Sequence, residues 1–465
     1  MGLMKDLHAQ TAELSIQTAW GRVISVDQST VRLSGLSSLA RVGDGVRITP
    51  LGENMPDQQS NTSNSIIAEI VAMNGQECIA YAYDLVSGIR IGDHAYLTEI
   101  GHVAPSNAWL GALLDPLGND INGKPVPPGT DSLPLNGAPP PARQRRGFGP
   151  RMPSGINVID TFLPLCQGQR TGLFAAPGVG KSSLISKLAT RAKADIVVVA
   201  LIGERGREVR HFYDHVLTDE LRERTVVVAA SSDEAAPLKR RAANLAMTTA
   251  EFYRDQGHHV LLLFDSLTRF ADAHREIALA GGEPPSLRAY PPSTFQALAR
   301  LVERAGPGIS GTGDITALFS VLVAGGDMDE PVSDAVRGFL DGHIILDRAI
   351  AERGRFPAVD VLRSASRSLP AAASDAENGI LTNARQLLGT YRDNATMVKA
   401  GLYEPGTDQL IDRAIRVFPH LDQFLAEESE TPEAAFKTLS TLLEHTGGDG
   451  KPTEENEGGL QMEGL

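Results

Sequence analysis

The chain has 465 residues, of which 42% are hydrophobic and 22% are charged, and its formal net charge is −14. This length predicts about three domains, and the composition is that of a folded globular protein without the roughly 20-residue apolar run that spans a bilayer. The acidic balance disfavours nonspecific binding to nucleic acid or anionic lipid, because phosphate groups repel such a surface.

The two ends of the chain and its cysteines carry little recognisable chemistry. Residues 1–18 are expected to form a tail or a short helix, and residues 447–465, rich in Gly and Glu, are expected to be disordered. The N-terminus lacks the apolar core and cleavage site of a secretory signal, so we expect a cytoplasmic protein. Cys78 and Cys166 lack His or Cys companions at metal-ligand spacing, which predicts two reduced structural thiols.

Residues 19–104 are predicted to form the first domain. Short β-branched runs cut by glycines are typical of a small β-barrel or sandwich, and we predict a β-barrel. Within it, Asn74-Gly75 is expected to be the two-residue turn of a hairpin that joins Ser65–Met73 to Gln76–Tyr83.

Residues 105–374 are predicted to form a central domain, entered through a Pro- and Gly-rich passage. Four apolar runs alternate there with helical stretches: Ile196–Ile202, Thr225–Ala230, Val260–Phe264 and Leu318–Ala324. This alternation predicts βα repeats and a mostly parallel sheet covered on both faces. Sheets of this kind bind ligands at the carboxyl ends of their strands.

A glycine-rich loop follows the predicted strand Arg170–Ala175 and precedes an amphipathic helix. The nucleotide-binding candidates are Ala175, Ala176, Pro177, Gly178, Val179, Gly180, Lys181, Ser182 and Ser183. In such a loop, backbone N–H groups turn toward phosphates, Lys181 adds a positive charge, and the Ser182 hydroxyl can ligate Mg²⁺. Ala175 stands where the strict motif has Gly, but the strand–loop–helix setting favours ATP binding over an ordinary glycine turn.

Two carboxylates stand at or just beyond the ends of predicted strands of this domain. Asp265 follows an apolar strand and can orient Mg²⁺ directly or through water, although a strand-terminal Asp can also cap the next helix. Glu204 lies in a charged turn and can align and polarise the water that attacks the γ-phosphorus, although a solvated loop is the alternative. The adjacent Arg205 is a further catalytic candidate.

Residues 375–446 lack strand patterns and are predicted to form a C-terminal helical domain. Its helix-compatible segments are Ala384–Tyr391, Gln409–Val417 and Ala434–Leu443. The predicted fold class is therefore multidomain: an N-terminal β-barrel, a central α/β P-loop domain with a mostly parallel sheet, and C-terminal helices.

Four segments in register resemble the catalytic subunits of rotary ATPases, and most closely the ATPases of type III protein export. They are the loop Ala175–Ser183, the turn Gly203–Glu208, the segment Leu262–Arg269 and the segment Phe356–Asp360. Further segments typical of export ATPases are Tyr290–Phe295, Leu301–Gly306 and Leu340–Leu346. The resemblance extends from about Trp20 to Leu443 and implies a RecA-like nucleotide domain.

The resemblance also implies roles for individual residues. Glu204 matches the catalytic carboxylate, where noncatalytic ring subunits have Gln, and Arg367 matches the arginine finger that reaches into a neighbouring subunit. Phe356 stands where many relatives stack a Tyr on adenine, and it keeps the aromatic face. Because one chain carries Lys181, Glu204 and Arg367, a ring of six identical subunits can complete every site.

The function implied is Mg²⁺-dependent ATP hydrolysis that energises or primes export of flagellar proteins. Three alternatives remain: an injectisome secretion ATPase, a catalytic subunit of a proton-translocating ATP synthase, and a hexameric RNA translocase. By resemblance, the partners are a regulatory peripheral-stalk protein, a coiled-coil central stalk, the membrane export gate and chaperone–cargo complexes, at the cytoplasmic face of the inner membrane. No nucleic acid partner is expected.

Overall fold

The computed structural model describes residues 20–51 and 65–445. The predicted N-terminal tail or helix, 1–18, and the predicted disordered tail, 447–465, lie outside the described residues. A closed barrel, a large mostly parallel sheet with helices and a set of C-terminal helices follow one another along the described chain. This architecture confirms the predicted fold class, while the exact domain bounds stay predictions.

Six antiparallel strands close into the barrel. They are β1 (Trp20–Val26), β2 (Thr30–Ser34), β3 (Gly45–Thr49), β4 (Ile66–Asn74), β5 (Glu77–Ala82) and β6 (His94–Thr98). Their order around the barrel is β1-β2-β5-β4-β3-β6. Alternate residues point inward, as Val31 and Leu33 of β2 do, and closure leaves no strand edge unpaired.

The hairpin between β4 and β5 is confirmed, but the predicted turn position is wrong by one residue. Asn74 pairs with Glu77 in the ladder, so the two loop residues are Gly75 and Gln76. Gly75 has a φ of +60°, which glycine adopts without a steric penalty. The turn therefore begins at the glycine, and Asn74 stays in the strand.

The passage between the barrel and the central domain contains three two-residue strands and packs on that domain. They are β7 (His102–Val103), β8 (Leu113–Leu114) and β9 (Leu133–Pro134). Strand β8 joins the edge of the central sheet, and Leu114 and Leu135 are buried in its core. The passage is thus part of the packed structure.

Eight further strands build the central sheet with β8. They are β10 (Arg170–Ala175), β11 (Ile196–Glu204), β12 (Thr225–Ser231), β13 (His259–Asp265), β14 (Gly306–Pro307), β15 (Asp314–Leu322), β16 (Gly342–Leu346) and β17 (Ala365–Ser366). The order is β17-β16-β10-β15-β13-β11-β12-β8, with β14 paired to β15. All pairs are parallel except β14–β15 and β16–β17.

Helices cover both faces of this sheet. They are α1 (Asn157–Asp160), α2 (Lys181–Arg191), α3 (Gly206–His211), α4 (Asp219–Arg222), α5 (Ala236–Asp255), α6 (Leu267–Ala280), α7 (Pro292–Arg304), α8 (Pro331–Phe339) and α9 (Arg348–Glu352). Along β11, Val197 and Val199 belong to the apolar core on one face, and Val198 and Ala200 to the core on the other. Burial on both faces explains the continuous apolar runs in the sequence.

Three helices form the C-terminal part: α10 (Asp375–Lys399), α11 (Gln409–Phe424) and α12 (Pro432–His445). Their apolar faces are continuous with the core on one side of the central sheet. Glu428, between α11 and α12, forms ion pairs with Lys187 at 2.9 Å and Arg191 at 2.5 Å on α2. The described residues include no helix that is long and apolar enough to cross a membrane.

Candidate nucleotide-hydrolysis site

The strand order brings the predicted site residues to one edge of the sheet. Strand β15 lies between β10 and β13, and β13 lies between β15 and β11. The loop after β10, Asp265 at the end of β13 and Glu204 at the end of β11 all lie at carboxyl ends of parallel strands. Residues distant in the sequence thereby meet at the edge where such sheets bind ligands.

The glycine loop has the backbone that phosphate binding requires. Gly178 and Gly180 have φ values of +80° and +93°, and Lys181 begins α2. Val179 is 1% exposed and anchors the loop in the core. The loop thus places the N-terminus of α2 and its free N–H groups at the sheet edge, where an anion is favoured.

Ala175 replaces the first motif glycine at a position that accepts a side chain. It is the last residue of β10, it is buried, and its carbonyl accepts a hydrogen bond from Val323 N at 3.0 Å. Its φ is not positive, unlike that of Gly178 or Gly180. A Cβ therefore causes no backbone strain there.

Lys181 lies between two carboxylates. Its Nζ contacts Asp265 Oδ1 directly and lies 3.6 Å from Glu204 Oε1. The three side chains are 11%, 5% and 17% exposed, respectively. Charges this close and this shielded from water interact strongly.

Asp265 is held by a second donor and does not cap a helix. Ser320 Oγ, on β15, donates a 2.6 Å hydrogen bond to Asp265 Oδ1. The N-cap of α6 is Ser266, whose side chain accepts from Arg269 N. The helix-cap alternative for Asp265 is therefore not supported by the geometry.

The residues present fit a Mg²⁺–nucleotide complex. The second carboxylate oxygen of the buried Asp265 has no hydrogen-bond partner among the described residues. Ser182 is exposed in the first turn of α2, on the same sheet edge. Hydroxyl and carboxylate oxygens are ligands that Mg²⁺ prefers, usually together with substrate phosphates.

Glu204 has the protonation behaviour of a general base. Burial, together with the neighbouring Asp265 carboxylate, raises the pKa of Glu204 from 4.5 to about 7, against the opposing effect of Lys181. A base with a pKa near the working pH combines adequate strength with a large deprotonated fraction. Glu204 is also the last residue of β11 and mostly buried, unlike a side chain of a solvated loop.

Phe356 lies against the glycine loop. A Cβ added at Gly180 would lie 3.1 Å from Phe356 Cδ1, so the ring and the loop backbone are in contact. The ring is 47% exposed. Part of the ring is therefore accessible beside the loop, where a base attached to bound phosphates could stack.

Arg367 lies far from the glycine loop of its own chain. Leu346 of β16 pairs with Ala175, and Gly342 begins β16 at its other end. Ser366 pairs with Gly342 and Arg367 N bonds to Asp341 O, one residue further from the loop, so Arg367 lies about 16 Å along the strands from that loop. Its side chain is exposed and has no bonding partner among the described residues.

Arg205 is also separate from the Lys181–Glu204 pair. Its side chain is 67% exposed and lies 3.8 Å from Glu208 Oε1. The structure therefore brings Lys181, Glu204 and Asp265 together and leaves Arg205 and Arg367 outside. Ser320 is the residue that sequence reasoning missed, and its signal was the one hydroxyl within the apolar run Leu318–Ala324.

Two family models match the chain. The model of the ATP synthase alpha/beta family, nucleotide-binding domain, matches residues 155–366. The model of the T3SS EscN ATPase C-terminal domain matches residues 373–444. The first covers the sheet with its site, and the second covers helices α10 to α12.

Individual proteins match over most of the chain. The flagellum-specific ATP synthase of Caulobacter vibrioides is 42% identical over 95% of this chain and 99% of its own length. The SPI-2 type 3 secretion system ATPase of Salmonella typhimurium is 41% identical, over 81% of this chain and 87% of that protein.

The structure also resembles a solved one closely. The assembled ATPase EscN of the enteropathogenic E. coli type III secretion system matches with a TM-score of 0.82 and 33% identity, over 91% of this chain and 100% of the solved chain. EscN bound to its central stalk EscO matches with a TM-score of 0.80. The chain therefore belongs to the ATP synthase alpha/beta family, in its branch of type III export ATPases, and it is an ATP-hydrolysing enzyme.

Proposed function

We propose that this chain is the ATPase of flagellar protein export and that it hydrolyses ATP at the interfaces of a ring of six identical subunits. The observation that carries the proposal is the division of the site residues. Lys181, Glu204 and Asp265 meet at one edge of the sheet, while Arg367 lies near the opposite ends of the strands. A second copy of the chain is needed to bring Arg367 to such a site.

The catalytic step follows from these positions. The N–H groups of the loop and Lys181 bind the β- and γ-phosphates of ATP. Deprotonated Glu204 orients a water and accepts its proton as the water oxygen bonds to the γ-phosphorus, while the bond to the β-phosphate oxygen breaks and ADP leaves. Arg367 of the next subunit stabilises the charge on the γ-phosphoryl oxygens. Arg205 remains a further catalytic candidate.

The proposed metal and base contacts complete the site. Ser182 and Asp265 would hold Mg²⁺, which neutralises charge on the phosphate oxygens when it is bound. Phe356 would stack on adenine and contribute about 0.5–1.5 kcal/mol beyond the apolar area it buries.

The proposed partners follow from the relatives. EscN has been solved as an assembly and with the stalk EscO, which supports self-association and a central stalk for this chain. We extend the proposal to a regulatory peripheral-stalk protein, the membrane export gate and chaperone–cargo complexes, in the cytoplasm at the inner membrane. The Caulobacter relative, named flagellum-specific and matched over nearly its whole length, favours the flagellar over the injectisome system.

The test is export in cells whose only copy of the gene carries Glu204→Gln, compared with Glu220→Gln at matched expression. Glu220 is exposed on α4, so its substitution controls for the loss of one carboxylate. We expect flagellin in the medium and motility to be lost with the first variant only. Normal flagellin export by Glu204→Gln, with loss of an injected effector, would assign the chain to an injectisome.

A further inference from the structure

The backbone that carries Arg367 is fixed by the strand beside it. Arg367 N donates a 2.9 Å hydrogen bond to the carbonyl of Asp341, which precedes β16. The Arg367 side chain itself has no partner among residues 20–51 and 65–445. The direction in which the Arg367 side chain projects from the surface therefore depends on how Asp341 is held.

Arg170 holds Asp341 with three hydrogen bonds. Its backbone N and its Nε donate to Asp341 Oδ2, both at 3.0 Å, and its Nη2 donates to Oδ1 at 3.1 Å. Both side chains are 14% exposed. The Nη1 of Arg170 lies 2.8 Å from Glu303 Oε1. A planar two-pronged pair of this kind fixes orientation as well as distance.

A second set of hydrogen bonds holds Ser366, the residue before Arg367. Gln169 Nε2 donates to Ser366 Oγ at 2.9 Å, and Ser366 Oγ donates to Pro164 O at 3.0 Å. Strands β16 and β17 also approach closely, since a Cβ at Gly342 would lie 2.8 Å from Ala365 O. The segment is thus attached to residues that precede β10 or begin it.

We propose that Arg170 and Asp341 are positioning residues for Arg367, and that their pair serves the site of the neighbouring subunit and not that of their own chain. The inference rests on the proposed role of Arg367 in the next site. Strand β10 has the Arg170–Asp341 pair at its amino end and the glycine loop at its carboxyl end. The two ends of one strand therefore serve two different sites.

Asp341→Asn should change kcat for ATP hydrolysis without changing KM. Asp341→Asn removes the charge and one acceptor while keeping the side-chain size, so Arg367 loses its fixed direction. Displacement of a catalytic group by about 1 Å costs up to about 10²-fold in rate. We expect kcat to fall by about 10- to 100-fold with the KM for ATP unchanged, because the loop and Lys181 are untouched. Asp334→Asn, which breaks the exposed pair with Arg337 on α8, should keep the wild-type kcat.

Rings assembled from two different variants test whether the Arg170–Asp341 pair serves its own site or that of the neighbouring subunit. Asp341→Asn and Glu204→Gln chains, carrying different affinity tags, are coexpressed and purified on both tags. A site formed by Glu204 of the first chain and Arg367 of the second is complete, so the mixture should regain about a quarter of the wild-type sites. Asp341→Asn alone should keep about 1–10% of the wild-type kcat, and Glu204→Gln alone about 1% or less. Asp341→Asn mixed with Arg367→Ala should not exceed the activity of Asp341→Asn alone, because neither chain supplies a placed arginine.

Three other outcomes of these mixtures would overturn the inference. If Arg367→Ala regains activity with Glu204→Gln but Asp341→Asn does not, the inference is wrong while the shared site stands. If Asp341→Asn regains activity with Arg367→Ala, the inference is also wrong. If Arg367→Ala regains none with Glu204→Gln, the shared site fails and the inference with it. Should Asp341→Asn not fold, Arg170→Lys, which keeps a cation beside Glu303 and loses the fork, decides by the same three mixtures.

Discussion

Lys181 Nζ lies 3.6 Å from Glu204 Oε1, and the same amine contacts Asp265. The lysine lowers the pKa of Glu204, while burial and the Asp265 carboxylate raise it more, so that it reaches about 7. Lys181, the proposed phosphate-binding residue, and Glu204, the proposed base, are thus electrostatically linked. The base strength of Glu204 depends on what Lys181 and Asp265 contact.

This linkage predicts a pH profile. The proposed base is the deprotonated form of Glu204, and its pKa is raised, so kcat/KM for ATP should rise with pH and reach half of its plateau near pH 7. The profile is measured with the wild-type enzyme at fixed ionic strength. A plateau already reached near pH 5 would show that another group, or Glu204 with an ordinary pKa, governs the rate.

The raised pKa of Glu204 also predicts how the stability of the folded protein depends on pH, which tests the pKa independently of catalysis. The folded state holds the Glu204 proton more tightly than the unfolded chain does, so the stability it contributes is present at low pH and is lost as pH rises from 4.5 through about 7. Glu204→Gln removes this loss. The variant should therefore gain in melting temperature over the wild type between about pH 5 and about pH 8.

Ser320→Ala should raise the Mg²⁺ concentration that hydrolysis requires. The hydroxyl holds Asp265 Oδ1 at 2.6 Å, and removing a residue that orients a metal ligand typically costs about 10- to 100-fold in affinity. The measurement is the Mg²⁺ concentration that gives half-maximal hydrolysis. The matched control is Ser333→Ala, since Ser333 is also fully buried and its hydroxyl has no partner among the described residues. Equal Mg²⁺ requirements in both variants would contradict the role of Ser320.

Phe356→Ala should raise the KM for ATP and leave the free energy of unfolding almost unchanged. The ring is 47% exposed, so its removal opens little of the core, whereas lost stacking weakens binding by up to about tenfold. Phe356→Tyr should restore the wild-type KM. Unchanged KM in the Ala variant would exclude Phe356 from the adenine site.

Arg304→Met should destabilise the protein strongly. Arg304 is 2% exposed and forms an ion pair with Glu251 at 2.6 Å, and it also donates to Leu135 O and Thr248 Oγ1. Leaving Glu251 buried without its partner costs about 3–5 kcal/mol in the free energy of unfolding. The double variant Arg304→Met, Glu251→Leu should recover part of this loss in urea unfolding. No recovery would mean that the pair itself is not the cause.

Local pattern predicted the parts of the site that lie on one stretch of chain. The loop before Lys181 and the strand-terminal Asp265 carry their signals in adjacent residues, and parallel strands then place them at a common edge. The Asp265–Ser320 and Arg170–Asp341 bonds join residues 55 and 171 positions apart. They depend on β15 lying beside β13 and on β16 lying beside β10, and single-sequence patterns do not specify that order.

The error in the predicted position of the β4–β5 turn has a local cause. The hairpin signal Asn74-Gly75 identified the correct pair of strands but not the first loop residue, because Asn74 can continue a ladder as well as enter a turn. The positive φ of Gly75 decides the position. Glycine marks where the backbone reverses, and the preceding residue does not.

The most direct test of the central claim is ATP hydrolysis by purified Glu204→Gln, with nucleotide binding measured on the same sample. We expect a loss of hydrolysis of at least about 10²-fold with ATP affinity retained, because Lys181 and the loop are unchanged and the substitution is nearly isosteric. Hydrolysis at the wild-type rate with normal binding would contradict the assignment of Glu204 as the base and, with it, the proposed site.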